Sequence, residues 1–271
     1  MEKFSVLMSV YKNDSPEWFE TAVMSVINQT SKPSEIILIR DGEVPEKLNN
    51  KINELVKKFP LIKLHINKNN LGLGLTLQKG IELSSHEIIA RMDSDDYSVP
   101  TRFETQLKAL IDNDLDLVGS HVKEFVDDIE NVQNEKKVPI TQEEIKDFAK
   151  SRNPFCHPSV MFRKSKVLES GNYQDMKLCE DYYLWIRMIQ KGCKVANIDD
   201  FLVYMRVSLD LYARRGGYKY YKSQKQLLKF MWKTKFINWF TYTKNTIVRF
   251  IVQVLMPNKL RQKFYEKKLR K

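Results

Sequence analysis

Cysteine is scarce and poorly placed for structural work. Only Cys156, Cys179 and Cys193 occur in 271 residues, and no two form a CxxC pair. A disulfide framework and a zinc knuckle are both excluded, and a reducing compartment is the expected setting. Long apolar runs are missing too: Ile247 to Met256 carries Arg249 and Gln253 and falls short of the roughly 20 residues of a membrane span. The opening MEKFSVLMSVY lacks the apolar core and small-residue cleavage site of an export signal, so it reads as a strand of a protein that stays in the cytoplasm. Glycine is absent where a dinucleotide-binding fold needs it, because YKNDSP follows the first strand and NLGLG at 70–74 comes too late with the wrong spacing. Acid is nearly absent from the C-terminal stretch. From Tyr212 to Lys271 there are 17 of the 45 Lys and Arg but one of the 34 acids, Glu266, so this stretch carries +16 and residues 1–211 carry −5.

What remains suits a large buried core, with 42% hydrophobic and 29% charged residues. Phe4 to Val10 reads as a strand, and Ser15-Pro16-Glu17 as the cap and first turn of a helix to about Gln29. Glu35 to Ile39 is a second strand ending at Asp41-Gly42, followed by a helix over about Glu46 to Phe59. Ile62 to Ile66 is a third strand, and Asn69 to Gly74 turns into a helix ending near Leu83. Ile88 to Ala90 is a fourth strand, running into Asp93, Asp95 and Asp96 ahead of a Pro100 suited to the first turn of the next helix. This alternation predicts a mostly parallel sheet covered by helices on both faces, with polar residues after successive strands gathered at one edge. Three carboxylates packed at a strand end repel one another, and a divalent cation with oxygen ligands relieves them. The competing reading is a solvated acidic turn.

The runs SVLMSVYKN, Asp41-Gly42, NNLGLG and above all IARMDSDDYSVPTRFETQ resemble family 2 glycosyltransferases, which transfer a sugar from a nucleotide donor with inversion. The resemblance extends through HPSVMFRKS at 157–165 and LCEDYYLWIRM at 178–188, covering about residues 4–207. One departure is Arg40 ahead of Asp41, where an acidic or small residue is more usual. The resemblance implies a glycosyltransferase A-type fold, with a nucleotide-binding half at about 1–113 and an acceptor-binding half at about 114–211. It implies that Tyr11, Asn13 and Asp41 line the nucleoside end, Asp93 reaches the ribose or a metal-bound water, and Asp95 holds the Mg²⁺ or Mn²⁺ bridging the diphosphate. Asp96 has two readings, metal contact or cap of the helix after Pro100. Arg91 and Arg102 are expected to pair with acidic neighbours, with Arg91 in the donor site as a second reading.

Glu180 and Asp181 open a helix with Tyr182, Trp185, Ile186 and Ile189 at helical spacing. Inversion needs a base for the acceptor hydroxyl. The resemblance gives that role to Asp181, with Glu180 positioning the acceptor. Trp185 either stacks on an acceptor sugar or belongs to the core. His157, read on a strand, either touches a substrate or is structural. Thr141 to Glu144 is a capping box.

Residues 212–271 interleave aromatics with cations, and Lys222, Lys225, Lys229 and Lys233 share one helical side. Such a tail suits an anionic membrane surface or nucleic acid, or else its aromatics simply cover the catalytic domain. The preferred reading is a catalytic domain at 1–211 and a basic helical tail that docks on the cytoplasmic face of a membrane. The expected activity uses a UDP-sugar and a lipid-linked saccharide in surface-polysaccharide assembly. A nucleic-acid-binding protein and a metal-dependent nucleotidyltransferase are the alternatives; no nucleic acid is expected as partner.

Overall fold

The computed structural model describes residues 2–207, 216–258, 260 and 261. The boundary drawn at Tyr212, Arg214, Arg215 and the final basic stretch with Glu266 lie outside them.

Four strands, β1 (Phe4–Val10), β2 (Glu35–Asp41), β3 (Ile62–Asn67) and β4 (Ile88–Met92), form a parallel set in the order β3-β2-β1-β4. Between them run α1 (Pro16–Ile27), α2 (Glu46–Lys58) and α3 (Leu73–Leu83). The strands are almost wholly apolar because both faces are covered. Leu7, Ile37, Ile39 and Ile89 join one buried cluster. Val6, Met8, Ile36, Leu38, Ile88 and Ala90 join another on the opposite face, as period-two alternation dictates. Gly80 lets α3 lie flush on the sheet, since a Cβ there would run into Leu7 Cδ1.

Beyond β4 the sheet becomes mixed. The two-residue β5 (Tyr97–Ser98) leads to α4 (Arg102–Asp112), β6 (Leu117–Phe125), β7 (Val132–Lys136) and α5 (Gln142–Phe148). Next come β8 (Met161–Arg163), α6 (Lys164–Glu169), α7 (Glu180–Gln190) and β9 (Val195–Arg206). β8 lies antiparallel between β4 and β6, and β9 parallel to β6, so one continuous sheet joins the two halves. Helix α4 starts at Arg102, two residues past the proline expected in its first turn; the Pro100 carbonyl accepts instead from the Thr30 amide at 2.9 Å.

The basic region splits in two. In α8 (Tyr218–Lys233), Leu227, Leu228 and Met231 enter the same cluster as Trp185. At about 1.5–3 kcal/mol for each fully buried side chain, these three residues bind α8 to the body of the protein. In α9 (Trp239–Phe250) no residue is buried. No helix among the described residues is long and apolar enough to cross a membrane.

Candidate active site

The carboxyl edge of the parallel strands gathers the polar residues. After β1, the Asp14 carboxylate accepts from the Tyr11 amide at 2.9 Å and from Ser94 Oγ at 2.9 Å, tying the β1 loop to the acidic loop after β4. Tyr11 and Asn13 are exposed beside it. After β2, Asp41 is buried, with Oδ1 accepting from Asn67 Nδ2 and the Leu71 amide and Oδ2 from the Gly72 amide. It shapes the 67–72 turn directly. Gly42 is needed there twice over: its φ is +87°, and a Cβ would meet the Asn70 amide at 2.8 Å. Arg40 looks away and donates to Asn49 on α2 at 2.6 Å. The same turn leans on the second acid pair, since a Cβ on Gly74 would lie 3.2 Å from Glu180 Cβ.

One oxygen from each of Asp93, Asp95 and Asp96 lies within 4.8 Å of the others. Burial, then Asp93, then Asp14 push the Asp95 carboxyl up to about 7. Burial, with Asp95 and Asp93, raises Asp96 well above the usual range. Burial also lifts Asp14 to about 6, with a smaller push from Asp93. The buried Asp96 Oδ2 has no hydrogen-bond partner among the described residues. Carboxylates so placed fit a hard divalent cation such as Mg²⁺ or Mn²⁺, which would supply the missing positive charge.

Asp96 is not a helix cap. Its Oδ1 accepts from the Arg206 amide at 2.7 Å, whereas the α4 amide of Phe103 is met by Gln29 Oε1 at 3.1 Å. Gln29 Nε2 also donates to the Val99 carbonyl at 2.8 Å, so one side chain fixes the whole exit from the acidic loop. Arg206 donates again to the Asp95 carbonyl and stacks on Trp18 and Phe125, closing the loop from behind.

Arg91 is buried and ion-paired with Asp93. Burial opposes its charge, but Asp93 outweighs burial and its pKa is raised. Its charge also acts on Glu180 and Asp181, favouring their ionised forms. Arg102 departs from expectation: among the described residues it pairs with no acid, and it donates to the Arg91 carbonyl at 2.7 Å and to Gln106 Oε1 at 2.9 Å. Burial and the charge of Arg91 bring it down to about 9.

Glu180 and Asp181 occupy the first turn of α7, where the helix N-terminus favours negative charge. Burial and then Asp181 nonetheless raise Glu180 to about 7, and burial raises Asp181. Asp181 Oδ2 accepts from Asn153 Nδ2 at 2.6 Å. Two expectations change here. Trp185 is fully buried against Phe155, Phe162, Tyr173 and His157, so no ring face is open to an acceptor. His157 sits on a 3₁₀ turn, His157–Ser159, because Pro158 withholds the amide a strand needs. Its Nε2 meets the Tyr173 hydroxyl at 2.9 Å. Burial and Arg91 hold its pKa well below normal, so it is neutral.

A mostly parallel sheet carrying an acidic cluster at its carboxyl edge and a second acid pair on a facing helix defines a glycosyltransferase of A-type fold. Residues 5–171 match the family described as Glycosyl transferase family 2, and the chain belongs to that family. It is 37% identical, over 97% of its length and 98% of the relative's, to the amylovoran biosynthesis glycosyltransferase AmsE of Erwinia amylovora. It is 36% identical, over 99% of its length and 97% of the relative's, to the UDP-Gal:alpha-D-GlcNAc-diphosphoundecaprenol beta-1,3-galactosyltransferase of Escherichia coli. Among solved structures, S. aureus TarS superposes with TM-score 0.67 at 14% identity, covering 98% of this chain and 46% of that one. Mannosyltransferase PcManGT from Pyrobaculum calidifontis, in complex with GDP-Man and Mn²⁺, gives 0.64 at 14% identity, covering 96% and 71%.

Proposed function

We propose that this glycosyltransferase moves a sugar from a UDP-sugar, with a divalent cation and with inversion, onto a lipid-linked saccharide acceptor during bacterial surface-polysaccharide assembly. The observation that carries the reading is the pair of acid sets: one is a cluster of three carboxylates with Arg91 ion-paired to a single member, the other is raised by burial at a helix start. Asp93 and Asp95, with Asp96 beside them, hold the ion, which when bound stabilises charge on the departing diphosphate. Tyr11, Asn13 and the turn shaped by Asp41 form the nucleoside end. Arg91 keeps the acidic loop in place against the donor. Asp181 takes the proton from the acceptor hydroxyl, and Asn153 orients it. Glu180 holds the acceptor. His157, neutral and hydrogen-bonded to Tyr173, lines the gap between donor and acceptor. The lipid-linked acceptor is supported by the diphosphoundecaprenol relative.

A membrane surface is the proposed docking partner. On α9, Phe240, Lys244 and Ile247 recur at helical spacing on the exposed side, and Ile251 just beyond the helix continues the row. Phe240 is 70% exposed and Ile247 54%, and Trp239 flanks them at 62%. Exposed Lys222, Lys225, Lys229 and Lys233 on the neighbouring helix supply charge for an anionic leaflet on the cytoplasmic side.

The test is transfer from UDP-sugars to a synthetic lipid-diphosphate saccharide, with the new anomeric configuration read by NMR. Transfer that depends on Mn²⁺ or Mg²⁺ and inverts the anomeric centre is expected; retained configuration, or full activity in chelator, contradicts it. In flotation, the protein should rise with anionic vesicles, and the double variant Phe240→Ser, Ile247→Ser should rise less. Equal flotation of both removes α9 as the docking face.

A further inference from the structure

We propose that Arg249 and Asn245, on the outer helix α9, are positioning residues for Asp181. Helix α5 ends at Phe148, and the three carbonyls that follow lie beyond its own hydrogen-bond ladder. Each accepts from a side chain far away in sequence. The Ala149 carbonyl accepts from Tyr182 Oη of α7 at 2.7 Å, the Lys150 carbonyl from Asn245 Nδ2 at 3.0 Å, and the Ser151 carbonyl from Arg249 Nη2 at 2.7 Å. Two residues further on, Asn153 donates to Asp181. The segment that aims the base is therefore clamped at consecutive residues, twice from α9.

Arg249 grips the other wall as well. Its Nη1 donates to Gln224 Oε1, and the buried Gln224 donates through Nε2 to Cys179 Sγ at 2.9 Å, one residue before Glu180. One guanidinium thus links the 149–153 segment to the start of α7, with Asp181 between. A cation beyond the carboxyl end of α5 is also favoured by that helix's dipole. Helix α9 buries no residue completely, and these polar contacts hold it to the body together with Tyr242, packed on the core and stacked on Trp232, and Phe250 against Tyr221. The same helix turns Phe240 and Ile247 outward, so a membrane-facing element and the general base share one scaffold.

This inference rests on Asp181 being the base. The experiment is a double-mutant cycle on the full chain: Arg249→Ala, Asn153→Ala and both together, assayed for transfer kcat and donor KM. Arg249→Ala alone should lower kcat roughly 10- to 100-fold with donor KM unchanged, since misplacing a catalytic group costs turnover and not donor binding. Added to Asn153→Ala it should lower kcat little further, because both act on one carboxylate, and Arg249→Lys should recover part of the loss. Wild-type kcat in folded Arg249→Ala, or losses that multiply in the double variant, would overturn the link. Should Arg249→Ala fail to fold, Asn245→Ala, which removes one neutral donor, takes its place in the same cycle: a kcat loss that does not multiply with that of Asn153→Ala supports the link, and wild-type kcat or multiplying losses overturn it. Asp181→Asn separates the premises: full transfer in that variant sinks the base assignment, whereas an inactive Asp181→Asn beside an unaffected Arg249→Ala sinks only the positioning role.

Discussion

The two acid sets of this enzyme look alike in sequence and differ in what surrounds them. Asp93, Asp95 and Asp96 stand within reach of one another with Asp14 close by, and Asp96 keeps a buried oxygen without a partner among the described residues. Glu180 and Asp181 sit on the first turn of α7, and Asp181 is oriented by a neutral amide, Asn153. Burial raises the pKa of Asp95 and Asp96 as it does those of Glu180 and Asp181. On the proposed reading a cation relieves the first set and the second exchanges a proton, so the neighbours of a carboxylate, and not its pKa alone, separate metal ligand from base.

The largest expected effect that sharpens this contrast is Asp181→Asn, which should reduce transfer by about 10²- to 10⁴-fold, the usual worth of a general base, with donor binding preserved. Steady-state kinetics beside calorimetric titration with UDP would show it. Asp95→Asn should lower cation-dependent donor turnover by about 10²- to 10³-fold. It should also melt higher than the unmutated enzyme in chelator, because one of the mutually repelling charges is gone. Thermal melts with and without Mn²⁺ check both halves: the variant should gain at the start and then gain nothing from the ion.

Acidity gives a smaller effect with a definite sign. On the proposed reading Asp181 works deprotonated and burial raises its carboxyl, so transfer should decline as pH falls; its neighbour Glu180 is raised to about 7. Such an acid holds its proton more tightly folded than unfolded, so it adds stability as pH falls from about 7 toward 4.5 and loses that contribution on the way back up. Glu180→Gln removes a negative neighbour of Asp181 and should move the acid limb of the rate profile to lower pH. Asn153→Ala removes a bond that favours the charged form and should move the limb up.

Much of this architecture was legible in the sequence. Strands covered on both faces announce themselves as short apolar runs, and acids crowd at their ends, so β1 to β4, DSDD and Glu180-Asp181 could all be placed from spacing and resemblance. What escaped were single polar residues defined by partners far away. Asp14 bonds Ser94 across 80 positions, Gln29 meets Phe103 across 74, and Arg206 closes on Asp96 across 110. No local pattern marks them, because their meaning arises only when the loops after β1, β4 and β9 are brought together. Trp185 looked like a possible sugar platform because its helical spacing gave no hint of how completely α3, α8 and the 155–162 segment would cover it. The basic region divides in a way its sequence does not mark, for a related reason. Lysines and aromatics alternate in both α8 and α9, yet one face of α8 carries Leu227, Leu228 and Met231 into the core, while α9 buries no residue fully and leaves Phe240 and Ile247 exposed.

The most direct test of the division between the two acid sets is calorimetric binding of Mn²⁺ together with UDP to the Asp95→Asn and Asp181→Asn enzymes. The ion-dependent affinity should be lost in Asp95→Asn and kept in Asp181→Asn. Loss in Asp181→Asn with retention in Asp95→Asn would contradict the assignment outright.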